Sequence, residues 1–241
     1  MLFNSIDFLI FFPIVLLVYF VCPRKIRYIW LLVSSYFFYM CWNPWFIFLL
    51  VGVTIVSWLC GLGIEWMHGN RHKAKWLVAV SCVVLLGTLG YFKYTNFLIG
   101  TLNRLLEYVH INPISRHDVI LPIGISFYTF QALGYLIDVY RKNVKAEKNV
   151  LKYALFVAFF PQLLSGPIGR AKSLLGQMEE EPQRHAWNYE RIISGLILML
   201  WGYFLKIVIA DRAAVLVNQV FGSYEHYQMT ALIAGAIAYA I

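Results

Sequence analysis

Charge is scarce in this chain. Only 13% of its 241 residues are Asp, Glu, Lys or Arg, while 61% are hydrophobic. Soluble domains carry roughly 25% charged residues, so a water-soluble globular fold is excluded. Acids are the scarcer sign, 12 against 20 Lys and Arg, which leaves a net charge of +8. The four cysteines (Cys22, Cys41, Cys60 and Cys82) each lie in or beside an apolar run. None has C-x-x-C spacing, which argues against a redox or zinc motif, and they read as small packing residues. Regular apolar–polar alternation is also missing. The apolar runs are continuous, which points to membrane helices rather than a barrel. Met1 to Ser5 carry no positive charge, and no small-residue cleavage site ends the first run. An uncleaved first span is expected in place of a signal peptide.

The bases are placed as loops place them. Arg24, Lys25 and Arg27 form one cluster, Arg71, Lys73 and Lys75 a second, and Lys142, Lys145 and Lys148 a third. All flank apolar runs, as cytoplasmic loops do under the positive-inside rule, and this geometry argues against a nucleic-acid partner. A hydrocarbon layer about 30 Å thick needs roughly 20 apolar residues per helix. Spans are expected at Phe8 to Cys22, Tyr28 to Trp42, Phe46 to Ile64, Trp76 to Phe92 and Val119 to Val139. Pro44 ends the second run, with Trp42 and Trp45 at the interface. Between the fourth and fifth runs, Tyr94 to Asn112 mixes Leu102, Leu105, Leu106 and Val109 with Asn103, Arg104 and Glu107. That pattern predicts an amphipathic helix lying in the outer interface.

The sixth run, Leu151 to Ile168, is interrupted by Pro161 and Pro167. Its first part, about ten residues, reaches only about 15 Å. The bases Arg170, Lys172, Arg184 and Arg191 follow, so a re-entrant segment is expected, with a kinked full span as the alternative. A seventh run, Ile192 to Ala210, precedes Asp211 and Arg212. Met229 to Ile241 is too short to span and predicts that the chain is the N-terminal part (1–241) of one longer transmembrane domain. The expected fold class is all-α: a polytopic transmembrane helical bundle with re-entrant or broken helices, truncated at the C-terminus.

Polar residues inside the apolar runs carry the functional signal. On a helix, Gly124, Tyr128, Gln131, Tyr135 and Asp138 share one face, while Phe130, Leu133 and Ile137 fall on another. Such a stripe either lines a wet path or bonds neighbouring helices together, and both readings stay open. Pro122 and Gly124 are expected to open that helix, and Asp138 to pair with Arg141 or Lys142. With the interrupted sixth run, the candidate conduit or funnel-lining residues are Tyr128, Gln131, Pro161, Gln162, Ser165 and Gly166. No metal site is expected: His68 and His72 are four apart, but Gly69 and Asn70 between them favour a loop. Ser126 and Ser165 lack the G-x-S-x-G frame of a nucleophile. His110, His117, His185 and His226 lie in polar or interfacial surroundings. Lys206 is placed to snorkel.

The stretch from Leu121 to Gln131 (Leu-Pro-Ile-Gly-Ile-Ser-Phe-Tyr-Thr-Phe-Gln), with Asp138-Val139-Tyr140-Arg141, resembles the membrane-bound O-acyltransferase family. The nearest branch is that of the alginate O-acetyltransferases and the D-alanyl transfer proteins of teichoic acid. Gly90 to Phe97, Phe160 to Ile168, Lys206 to Asp211 and the opening Met1 to Ser5 with Phe8-Leu9 are similar as well. The resemblance implies a multi-pass protein of the bacterial inner membrane. It also implies a cytoplasmic acyl thioester, acetyl-CoA or an acyl carrier, used as substrate, with no bound cofactor. The acceptor would be an extracytoplasmic polymer or a partner acyltransferase, and a funnel would join the two sides. The family's central histidine is expected downstream, so no residue of this segment is assigned a catalytic role and the segment alone is expected to be inactive. A secondary transporter with broken helices at mid-membrane is the alternative, and a non-catalytic scaffold a third.

Overall fold

The structure is a computed structural model that describes residues 3–108, 119–163, 166, 169, 171–180 and 188–240. All regular structure among these residues is helical. Three helical stretches, Phe46–Gly69, Arg71–Tyr108 and Tyr189–Gly222, are long and apolar enough to cross a membrane. The chain forms two compact units, one of residues 13–184 and one of residues 2–12 with 185–241.

The first unit begins with α1 (Ile6–Val21), whose first turns belong to the second unit, and α2 (Arg27–Met40). Arg27 joins them. Its Nε donates to the carbonyl of Cys22 at 3.1 Å, and its guanidinium lies 4.9 Å from the ring centre of Tyr19. A cation at a helix C-terminus satisfies open carbonyls and complements the dipole. Trp30 Nε1 donates to Val15 O at 3.0 Å, tying the two helices again.

α3 (Phe46–Trp66) packs on α4 (Arg71–Tyr108) and on α5 (Ile125–Tyr140), while α2 packs on α6 (Val150–Ala158), which also meets α8 (Ala171–Glu180). The close approach of α3 and α5 depends on Gly61, where a Cβ would lie 2.7 Å from Tyr135 Cε1. The Tyr135 ring is centred 4.6 Å from that of Tyr153, whose hydroxyl donates to Ser57 Oγ at 2.8 Å. Both tyrosines are fully buried, at the centre of an aromatic and aliphatic core.

The basic loop after α5 is pinned to this core through its backbone. Ala146 N donates to Glu65 Oε2 at 2.8 Å, and Glu147 N to Tyr135 Oη at 3.0 Å. Trp58 Nε1 donates to Glu147 O at 2.8 Å. Asn149 then caps α6 by accepting from Leu151 N and Lys152 N.

Four expectations are corrected. Over 94–108, the described part of the predicted interfacial stretch, there is no separate helix: α4 is one helix of 38 residues, about 57 Å long at 1.5 Å per residue, and 109–112 lie outside the described residues. Lys93, Thr95 and Asn96 are polar but break nothing, so the apolar span and the amphipathic stretch join. The fifth run becomes helical only at Ile125, leaving Pro122 and Gly124 outside it. Asp138 pairs with neither Arg141 nor Lys142; its Oδ1 accepts from Asn143 Nδ2 at 3.1 Å, inside the turn that ends α5. The seventh run passes through Asp211 without stopping.

In the second unit, α9 (Tyr189–Phe204) continues through a π-helical segment, Leu205–Ala210, into α10 (Asp211–Gly222). Lys206, exposed near the end of the seventh run, forms an ion pair with Asp211. α11 (Met229–Ala240) packs on α10 where Gly235 meets Val220 and Phe221. Tyr203 Oη donates to Phe3 O at 2.7 Å.

Replacing Tyr135 by Phe removes the acceptor of Glu147 N, and loss of one such bond costs about 1 kcal/mol. The variant is expected to melt several degrees below the parent when purified in detergent, and an unchanged melting temperature would refute the clamp.

Candidate functional site

The site is built around a break in one helix. Pro161 has no N–H to donate to Val157 O, and its ring would collide with that carbonyl in a continuous helix. α6 therefore stops at Ala158, Phe159 turns out of helical geometry at φ −57°, ψ 109°, and a short turn, α7 (Phe160–Leu163), restarts. Phe159 O accepts from Gln162 N and Leu163 N, both at 3.0 Å, and so opens the new turn.

A break of this kind strands backbone groups. In an uninterrupted helix Phe160 N would bond Phe156 O. Here Gln131 Nε2, from α5, donates to Phe156 O at 2.7 Å. Phe160 N donates to Ser35 Oγ, from α2, at 3.2 Å. Ser35 in turn donates to Leu31 O at 2.7 Å, as a helical serine does. Gln131 is 4% exposed and Ser35 fully buried. Two side chains from two other helices thus take up the carbonyl and the N–H, Phe156 O and Phe160 N, that the break separates.

Glycines surround the restarted turn. Gly124, just before α5, has φ +75°, and a Cβ there would lie 2.5 Å from Leu163 O. Only glycine meets both demands. At Gly166 a Cβ would come within 2.6 Å of Gln162 Cα, and at Gly169 within 2.7 Å of Gln162 Oε1. Gly166 N donates to Gln162 O at 3.1 Å.

Of the candidate residues, Gln131, Pro161, Gln162 and Gly166 meet at this helix break, in different settings. Tyr128, one turn before Gln131, is fully buried, and its hydroxyl faces that of Tyr39 on α2. Gln162 Oε1 is buried without a hydrogen-bond partner among the described residues. Pro161 is exposed, and Gly166 is half-buried against Gln162. Ser165 lies outside the described residues. On the expected stripe, Tyr135 is buried with Tyr128 and Gln131, while Phe130 and Ile137 are exposed and Leu133 is buried beside them.

Sequence reasoning missed Ser35 and Asn96. Asn96, on α4, holds the segment before α5 at two points: its Nδ2 donates to Val119 O at 2.8 Å and its Oδ1 accepts from Val119 N at 3.0 Å. Its position in the Gly90 to Phe97 stretch was the available signal. Ser35 had none, because one serine in an apolar helix looks like any other.

Over 99% of its length the chain is 37% identical to the probable alginate O-acetylase AlgI of Pseudomonas aeruginosa, covering 45% of that protein. It is 32% identical to the peptidoglycan O-acetyltransferase of Helicobacter pylori, over 89% of this chain and 45% of that one. A teichoic acid D-alanyltransferase of Lacticaseibacillus rhamnosus is 24% identical over 69% of the chain and 48% of its own length. The chain belongs to the membrane-bound O-acyltransferase family. It spans about half the length of the curated relatives it matches. No family model and no solved structure matches it.

The stretches that carry the O-acyltransferase resemblance fall on the features described. Gly90 to Phe97 holds Asn96, Leu121 to Gln131 holds Gly124 and the donor to the broken helix, and Phe160 to Ile168 holds the restarted turn. Lys206 to Asp211 covers the π-helical segment and its ion pair.

Gly124→Ala places a side chain in left-handed geometry, at about 1–2 kcal/mol, before the contact with Leu163 O is counted. It is expected to lower the melting temperature clearly. Gly134→Ala, on the same helix but facing open space, is expected to leave it unchanged or raise it. Equal melting temperatures for the two variants would refute the packing argument.

Proposed function

We propose that the full-length protein is an O-acyltransferase that moves an acyl group, acetyl by preference, from a cytoplasmic thioester to a hydroxyl of an exported polysaccharide or cell-wall polymer. The observation that carries this reading is the similarity, along nearly the whole chain, to proteins named alginate O-acetylase and peptidoglycan O-acetyltransferase. The protein is a membrane protein, and we place it as a multi-pass protein of the bacterial inner membrane. The donor is acetyl-CoA or an acyl carrier, and the acceptor is an extracytoplasmic polymer or a partner acyltransferase that hands the group on.

The chemistry sets the task of this region. The acceptor hydroxyl attacks the thioester carbonyl, a general base takes its proton, the tetrahedral oxyanion is stabilised by hydrogen-bond donors, and the thiolate leaves. In the family resemblance the base is a histidine beyond the stretches matched here. What this region contributes is shape. A thioester from one side of a bilayer meets an acceptor from the other only along a protected path, and non-helical backbone at that depth must be enclosed by protein or line a cavity. Tyr128, Gln131, Pro161, Gln162, Ser165 and Gly166 shape that path, with Gln131 positioning the broken helix through Phe156 O.

Gln131→Leu in the full-length enzyme is expected to lower acyl transfer to polymer by at least about tenfold, since even about 1.4 kcal/mol of lost positioning gives that factor. The variant should still express and elute as a folded protein, but melt below the parent, because Phe156 O is left without its donor. Acyl transfer at the parental rate would remove Gln131 from the path.

A further inference from the structure

At the loop end of the first unit, away from the broken helix, His68, Arg71, Ala74, Tyr140, Arg141 and Lys142 line a cleft of about 340 Å³. Three of the six are full cations, and no lining residue is an acid. The carboxylates of Asp138 and Glu65 accept from neutral donors, Asn143 Nδ2 and Ala146 N, and neither pairs with these cations. None of Arg71, Arg141 and Lys142 forms an ion pair among the described residues. Like charges gathered without an ion pair to any of them repel one another, and an anion seated among them relieves the repulsion.

The backbone adds an independent sign. α5 ends in a Schellman turn: Lys142 N donates to Val139 O at 3.0 Å, and Asn143 N to Asp138 O at 2.9 Å. The left-handed position of such a turn usually holds glycine. Here it holds Lys142, at φ +63°, the one described residue other than glycine with positive φ. A lysine there costs about 1 kcal/mol relative to glycine, and that strain holds an ammonium-bearing side chain at the rim of the cleft. On the other wall, His68 Nε2 lies 3.1 Å from Val139 O, which fixes the imidazole against the end of α5.

We propose that this cleft binds a phosphate group. Guanidinium pairs with a phosphate through parallel N–H donors, and lysine adds a point charge. Basic pockets between membrane helices take phospholipid headgroups in this way. A phosphate carried by a soluble ligand offers the same chemistry. The site is independent of the acyl-transfer reading, and its test needs no acceptor or donor.

The test is calorimetric titration of the purified full-length chain, in an uncharged detergent at low salt, with two probes: short-chain phosphatidylglycerol and inorganic pyrophosphate. The double variant R71Q/R141Q is expected to bind at least about tenfold more weakly, since a charge-assisted bond contributes about 1.5–3 kcal/mol. K142G relaxes the turn, so it should melt no lower than the parent yet bind roughly threefold more weakly, as for one exposed charge. K145Q, on the same loop but outside the cleft, should bind as the parent does. Binding of phosphatidylglycerol alone assigns the phosphate to lipid, and binding of pyrophosphate as well assigns it to a soluble ligand; both support the site. The proposal is overturned if neither probe binds the parent, if K145Q loses as much affinity as the double variant, or if K142G binds both probes unchanged.

Discussion

A backbone carbonyl buried in an apolar core must be bonded, and Phe156 O is one that its own helix has abandoned. The amide of Gln131 takes it, at 2.7 Å. The matching donor, Phe160 N, is taken by Ser35. Where lipid replaces water, an unmet backbone group costs several kcal/mol. The break at Phe159 is therefore tolerable only because α2 and α5 each bring a polar group to it. Those helices must in turn stand at fixed depth and rotation, and the glycines at 61 and 124 let the backbones come close enough.

The polar groups of the first unit have divided duties. Gln131, Ser35, Ser57 and Tyr153 bond backbone or one another and make the fold rigid. Glu65, Trp58 and Tyr135 fasten the loop beyond α5. The hydroxyls of Tyr39 and Tyr128 face each other, and the Oε1 of Gln162 is buried without a hydrogen-bond partner among the described residues.

Much of this was legible before any coordinates. The first three runs became α1, α2 and α3 with ends shifted by a few residues, because continuous apolar runs closed by Pro44 or by basic clusters leave little choice. The spacing of Tyr128, Gln131 and Tyr135 placed them on one face, and all three are buried. Pro161 announced the break. The partner of Gln131 was not legible, since a carbonyl belongs to every residue and carries no signature. Nor was the join inside α4, where polar residues changed the helix's surroundings without ending it. The side-chain pairing of Asn96 with Val119, 23 residues away, is a long-range contact that periodicity cannot report.

The π-helical segment between α9 and α10 has a geometric effect that reaches beyond its six residues. In an ordinary helix, Lys206 and Asp211, five positions apart, would point about 140° away from each other. The wider turn swings them into line, and they pair. One surplus residue also rotates everything that follows by about 100°. Val217, Val220 and the surface that receives Gly235 of α11 owe their azimuth to that inserted step. The docking of the last helix is thus set a full three turns upstream, by a single unit of phase.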